Sequence, residues 1–192
     1  MTARQKQGRL IIISAPSGAG KTTVVERVLA ECPDLKRSVS YTTRKPRAGE
    51  VKGKDYHFVS KRNFLFKRRN KFFLEWAEVF GEFYGTAKQA CLDWMSKGRD
   101  VILTIDVQGM RKIKARLGKR APLMTVFMMP PSRAVLRKRL HKRKTDSEAE
   151  IEKRLRMSET EMRARREYDH VMVNRTVAQA AENLKRLLYK NR

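Results

Sequence analysis

The sequence predicts an α/β fold: a parallel sheet with helices on both faces, interrupted by an inserted mixed α/β segment. Three observations predict it. A short β-branched run, RLIIIS at residues 9–14, passes through a glycine-rich turn into an amphipathic helix, the pattern of a buried parallel strand feeding a helix. Strand and helix patterns alternate again through the second half of the chain, as βαβ units require. Between about residues 37 and 90 that rhythm breaks into short, polar, turn-rich segments.

Each element has its own reason. KTTVVERVLAEC carries apolar residues at 24, 25, 28 and 29, a helical spacing that Pro33 terminates. RSVSYTTRKPRAGEVKGKDYHFVS predicts short strands and exposed turns, with Val39, Tyr41, Tyr56 and Phe58 as its apolar positions. Residues 60–70 suit a helix capped by Ser60. Residues 72–85 predict further strands, and residues 86–98 a helix closed by Gly98. Then come a strand at 100–106, a helix from Gln108, a strand at 122–131, a helix opening at Ser132, a long charged helix at 147–168, a strand at 169–174 and a closing amphipathic helix at 176–189. The most charged helical hairpin, about 138–156, is expected to add least to the core and to act as a mobile lid.

Composition narrows the class. The chain has 192 residues, enough for one domain with inserted subdomains. With 41% apolar residues, wholesale disorder is excluded. Two isolated cysteines, Cys32 and Cys91, make neither a disulfide scaffold nor a zinc site. The apolar runs at 10–13 and 123–129 fall far short of the ~18 residues of a membrane span. The LIII after the basic N-terminus is too short for a signal-peptide core, so a cytoplasmic location is expected. Forty-five Lys and Arg against 20 Asp and Glu give a net charge of +25. That excess attracts polyanions, or is simply a solvated basic surface. Aromatic residues are not interleaved with the basic runs as a stacking platform for single strands requires. Neither a specific nucleic acid nor a membrane is therefore expected as a partner, and monomer and homo-oligomer both stay open.

The strongest local motif is Ala15-Pro16-Ser17-Gly18-Ala19-Gly20-Lys21-Thr22, followed by Thr23. It matches the phosphate-binding pattern GxxxxGK[ST] except that Ala15 stands at the first position. Small residues let main-chain N–H groups curl around a phosphate at a helix N-terminus, Lys21 can reach the β- and γ-phosphates, and the Thr22 hydroxyl can ligate Mg²⁺. A GTPase, an ATPase motor and a small kinase all satisfy this motif alone. In the inserted segment Arg44 and Arg47 flank Pro46, and two such arginines can converge on one anion, or equally form a solvated basic turn.

SAPSGAGK, SYTTRKPRAGEVKGKDYHFV, FLEWAEVFGEFYGT and TIDVQG together resemble the guanylate kinase family over about residues 9–190. The resemblance implies a P-loop nucleoside monophosphate kinase fold with core segments about 8–36, 91–137 and 157–192, a GMP-binding insertion about 37–90 and a lid about 138–156. It implies ATP and GMP as substrates, Mg²⁺ as cofactor, and phosphorylation of GMP to GDP. Ser40, Arg44, Arg47, Tyr56 and Tyr84 would hold the GMP phosphate; Glu75 and Thr86 would read guanine. Asp106 would serve the GMP site and, with Thr22, the metal. Arg139, Arg143 and Arg154 would be lid arginines acting with Lys21 and Arg44 in catalysis, and Asn174 would lie near the adenine. The chain departs from the family pattern at Thr104, where an acidic residue is usual, at Lys144, where Gly is frequent, and at Arg175, where Asp is usual. Three other readings remain open: a phosphotransferase acting on a different small phosphate, a catalytically inactive interaction module, and a basic nucleic-acid-binding protein.

Overall fold

The computed structural model describes residues 7–118, 122–142 and 147–190. In chain order the elements are β1 (Leu10–Ser14), α1 (Lys21–Glu31), β2 (Lys36–Arg37), β3 (Tyr41–Thr42), β4 (His57–Phe58), α2 (Lys61–Arg69), β5 (Phe73–Val79), β6 (Glu82–Ala87), α3 (Lys88–Ser96), β7 (Val101–Leu103), α4 (Val107–Leu117), β8 (Leu123–Met129), α5 (Arg133–Lys142), α6 (Glu148–Arg163), β9 (His170–Val173) and α7 (Val177–Lys190). Five strands form one sheet in the order β2-β7-β1-β8-β9, in which β2 runs parallel to β7 and β8 parallel to β9. Four form a mixed sheet in the order β4-β3-β6-β5. No helix among the described residues is long and apolar enough to cross a membrane.

The chain divides into two compact units. One comprises residues up to Ile11, Asp34–Leu103 and Gln108–Leu123; the other comprises Ile12–Pro33, Thr104–Val107 and the chain from Met124 onward.

In the second unit, Val24, Val25 and Val28 form the buried face of α1, and Ala180, Ala181, Leu184 and Leu188 that of α7. The two helices pack on each other, with Lys185 Nζ 2.6 Å from the Glu31 carboxylate at the rim. The charged hairpin contributes more core than its composition suggests. Leu136 and Leu140 of α5 meet Ile151 and Leu155 of α6 in a buried cluster, each side chain worth about 2 kcal/mol of burial. Ser147 and Glu150 close a reciprocal capping box at the start of α6. That helix stops at Arg163 and tightens into one 3₁₀ turn, Ala164–Glu167, so it is shorter than the charge pattern implies.

In the first unit the mixed sheet has two distinct faces. Residues directly opposite share a face, and alternation carries that face along each strand. The pairs Thr42↔Phe58, Thr42↔Tyr84, Ala77↔Tyr84 and Glu75↔Thr86 therefore define one face. The other face carries Tyr41, Trp76 and Phe83 against α2, where Phe64 stacks on Phe73 at 4.5 Å and on Phe83 at 5.4 Å. An irregularity between Phe73 and Glu75 makes this possible. It breaks the alternation, sending Phe73 into the aromatic core while Glu75 faces Thr86. Gly85 completes the arrangement: a Cβ there would lie 2.9 Å from the Phe73 ring, so only glycine lets the rings pack onto the strand.

Two further boundaries differ from expectation. Thr86 and Ala87 belong to β6 rather than to the following helix, because β5 supplies their partners. β7 ends at Leu103, and Thr104–Asp106 leave the sheet; an apolar pattern does not reveal where ladder bonds stop.

Candidate active site

The phosphate loop is built by strand, turn and helix in the second unit. The Ala19 N–H donates to the Pro16 carbonyl at 3.0 Å, closing the turn, and Gly20 caps α1 in the left-handed region at φ 88°. A Cβ on Gly20 would lie 2.5 Å from the Asn174 amide, so the position demands glycine twice over. Ala15 is not among the positive-φ residues, which is why the family's first glycine can be replaced here. Thr22 and Thr23 are exposed on the first turn of α1. Lys21 sits half-buried and its Nζ donates to the Ile105 carbonyl at 3.4 Å.

Three side chains brace the loop from behind. Asn174, buried, donates from Nδ2 to the Ala19 carbonyl at 2.7 Å. Arg139 donates to the same carbonyl at 3.0 Å and to the Asn174 carbonyl at 3.1 Å. Arg154 donates to the Ser17 hydroxyl at 3.0 Å. Two of the expected lid arginines thus converge on the phosphate loop, and Asn174, expected near the adenine, holds the loop's backbone. Arg143 lies outside the described residues. Asp106 is half-buried in this same unit. Sequence reasoning missed Glu161, whose carboxyl is within electrostatic reach of Lys21 and Asp106. Burial pushes it up to about 7, with Lys21 opposing and Asp106 adding to the rise. Only a signal linking α6 to the loop could have found it.

The second cluster occupies one face of the mixed sheet in the first unit. Thr86 donates to Glu75 Oε1 at 2.6 Å, both side chains being buried. Ser40 is buried too, and Tyr56 and Tyr84 meet edge to face at 6.0 Å. Burial and the neighbouring Tyr84 hold the Tyr56 phenol above its ordinary value, leaving it a neutral donor. Arg44 lies over the Tyr56 ring at 5.5 Å and forks onto Glu50 at 2.7 and 2.9 Å. Glu50 also accepts from the Arg47 N–H at 2.8 Å, while the Arg47 side chain is exposed. Glu50 is thus a second residue that sequence reasoning missed; the motif displayed it six positions from Arg44, but not its orientation. The cysteines take no part: both are buried, and burial pushes Cys91 up to about 11.

A strand, a glycine loop at a helix N-terminus and a lysine on its first turn, with a separate mixed sheet carrying an arginine-tyrosine cluster and a buried carboxylate–hydroxyl pair, place the chain in the class of P-loop phosphotransferases. The guanylate kinase family model matches residues 7–191. The chain is 49% identical to the guanylate kinase of Nitratidesulfovibrio vulgaris over 95% of its length and 86% of that protein. It is 45% identical to that of Maricaulis maris over 98% of its length and 85% of that protein. It is also similar to the crystal structure of guanylate kinase from Anaplasma phagocytophilum, at 33% identity and a TM-score of 0.80, covering 97% of this chain and 87% of that one. The chain belongs to the guanylate kinase family.

Proposed function

We propose that this chain phosphorylates GMP at the expense of ATP, giving GDP and ADP, with the phosphate-loop unit holding ATP and the mixed-sheet unit holding GMP. The buried Thr86–Glu75 pair carries the substrate assignment. A carboxylate accepts from both N1–H and the 2-amino group of guanine, and a hydroxyl can turn to donate to O6. Adenine offers no such pair of donors, so it forfeits both bonds that guanine would make to the buried Glu75 carboxylate. This favours guanine over another small phosphate as the acceptor. Ser40, Arg44, Arg47, Tyr56 and Tyr84 supply hydroxyl and guanidinium donors for the GMP phosphate.

The acceptor oxygen is already anionic at neutral pH, so no general base is needed. It attacks the γ-phosphorus as the bond to the β–γ bridging oxygen breaks, and the protein supplies alignment and positive charge. Lys21 and the loop's N–H groups serve the donor phosphates; Arg139 and Arg154 hold the loop that presents them, and we assign Arg143 to the same cationic group. Closure of the hairpin around bound ATP would exclude water.

The donor set suits Mg²⁺. Thr22 and Asp106 are hard oxygen donors beside Lys21, with Glu161 close by. No group of three or more His, Cys, Asp or Glu among the described residues forms a cage. Mg²⁺ at a phosphoryl-transfer site is ordinarily held by one or two protein oxygens together with substrate phosphates and water. When bound, the ion neutralises charge on the β- and γ-phosphates.

The reading is tested with Lys21→Ala in a coupled ADP-release assay. Turnover should fall about 100-fold or more with the fold intact by circular dichroism; near-normal turnover would refute the role given to the loop.

A further inference from the structure

Apart from Arg44 and Arg47, the cations of the mixed-sheet segment have no part in the phosphoryl transfer proposed above. From Lys36 to Lys71 the chain holds thirteen Lys and Arg and two acids, Glu50 and Asp55. Both acids are engaged locally, Glu50 by Arg44 and Asp55 by the Val51 N–H. Within this stretch α2 has no acidic residue.

The two phenylalanines of α2 on either side of Leu65 have opposite fates. Phe64 is fully buried in the aromatic core, whereas Phe66 is 66% exposed, the most exposed large apolar side chain among the described residues. Arg62 lies four positions before Phe66 and Arg69 three positions after, so the three share one exposed stripe about 10 Å long. Other cations of the helix lie over rings of the core: Lys67 over Phe72 at 4.4 Å and Arg68 over Trp76 at 4.7 Å. Arg62 and Arg69 have no hydrogen bond or ion pair among the described residues. Contrary to the expectation drawn from the basic runs, residues 61–73, KRNFLFKRRNKFF, interleave aromatic and cationic residues, and the fold leaves Phe66, Arg62 and Arg69 of that set exposed together.

We propose that this face of α2 binds single-stranded nucleic acid without sequence selectivity, a base stacking on Phe66 while Arg62 and Arg69 neutralise the flanking phosphates. Stacking needs an open base face, which a duplex withholds, and the two arginines supply the sequence-independent backbone term. An anionic membrane fits less well, because Phe66 is the one apolar side chain on the exposed face of α2 and stable anchoring takes a broad apolar face or a second signal.

The test is fluorescence anisotropy of a labelled mixed-sequence single-stranded RNA of about 20 nucleotides, with the full chain saturated with ADP and GMP, a pair that cannot react, so that neither substrate site competes. Wild type should bind at low salt and weaken steeply as salt rises. Phe66→Ala should weaken binding about 5- to 100-fold. Replacing Arg62 and Arg69 with Gln should flatten the log–log salt slope by about 1.4. Neither variant should change GMP turnover by more than about twofold, since none of the three residues belongs to the substrate sites. No binding by wild type, unchanged binding by Phe66→Ala, or equal affinity for a duplex of the same length would overturn the proposal. So would loss of phosphatidylserine-vesicle binding in Phe66→Ala with RNA binding intact.

Discussion

Replacing Glu75 with Gln alters charge with almost no change in shape, and the structure sets the size of the effect. Glu75 is buried and accepts from Thr86 at 2.6 Å. The amide oxygen of Gln can keep that bond, so the fold should survive, with a melting temperature within about 3 °C of wild type. Guanine meets a different group. In the proposed pose its N1–H and 2-amino donors face two carboxylate oxygens in the wild type, but one oxygen and one NH₂ in the variant. One charge-assisted bond becomes neutral and the other becomes a donor–donor conflict, a loss of about 3–4 kcal/mol. In steady-state kinetics that is a fall of about 100- to 1000-fold in kcat/KM for GMP. The KM for ATP should stay within about twofold, because Glu75 takes no part in the phosphate loop. A fall of less than about fivefold would show that guanine is read elsewhere.

Two further outcomes follow from other contacts. Glu50 orients Arg44, so Glu50→Gln should lower kcat/KM for GMP about tenfold in the wild type and have almost no effect in an Arg44→Ala background; a double-mutant cycle with additive losses would refute that coupling. Burial lowers the pKa of His57, and Lys52 and Lys67 push the same way. The unfolded chain therefore binds the proton more readily, and stability should drop as pH falls through and below the ordinary histidine value of about 6.5. His57→Gln should remove that component: melting temperatures at pH 8 and pH 5 should differ less in the variant than in wild type. Parallel pH curves would show that His57 does not contribute it.

Much of this architecture is legible locally. The strand, glycine loop and first helix announce themselves because LIII, GAGK and the Val24–Val25–Val28 spacing each encode one neighbouring piece of backbone. Residues 60–69 likewise declare a capped helix, and Ser60 does accept from the Asn63 N–H. Features set by distant partners are not legible in this way. Nothing local distinguishes buried Phe64 from exposed Phe66; that depends on Phe73 and Phe83 arriving from β5 and β6. The break in alternation before Glu75 is equally silent, since simple alternation puts Phe73 and Glu75 on one face. Asn174 meets Ala19 across 155 positions of sequence, and Glu161 acquires its character only from where α6 lies relative to Lys21 and Asp106. The motifs therefore single out candidate residues, and the tertiary contacts show which of them, Asn174, Arg139 and Arg154, hold the loop.

Initial rates with MgATP across a set of nucleoside monophosphates test the proposed guanine selection by Glu75 and Thr86 most directly. GMP should be preferred. IMP, which lacks the 2-amino donor, should fall about 10- to 100-fold in kcat/KM, and AMP by about 10⁴-fold or more. AMP or UMP turning over within about tenfold of GMP would contradict a pocket built to hydrogen-bond the guanine edge.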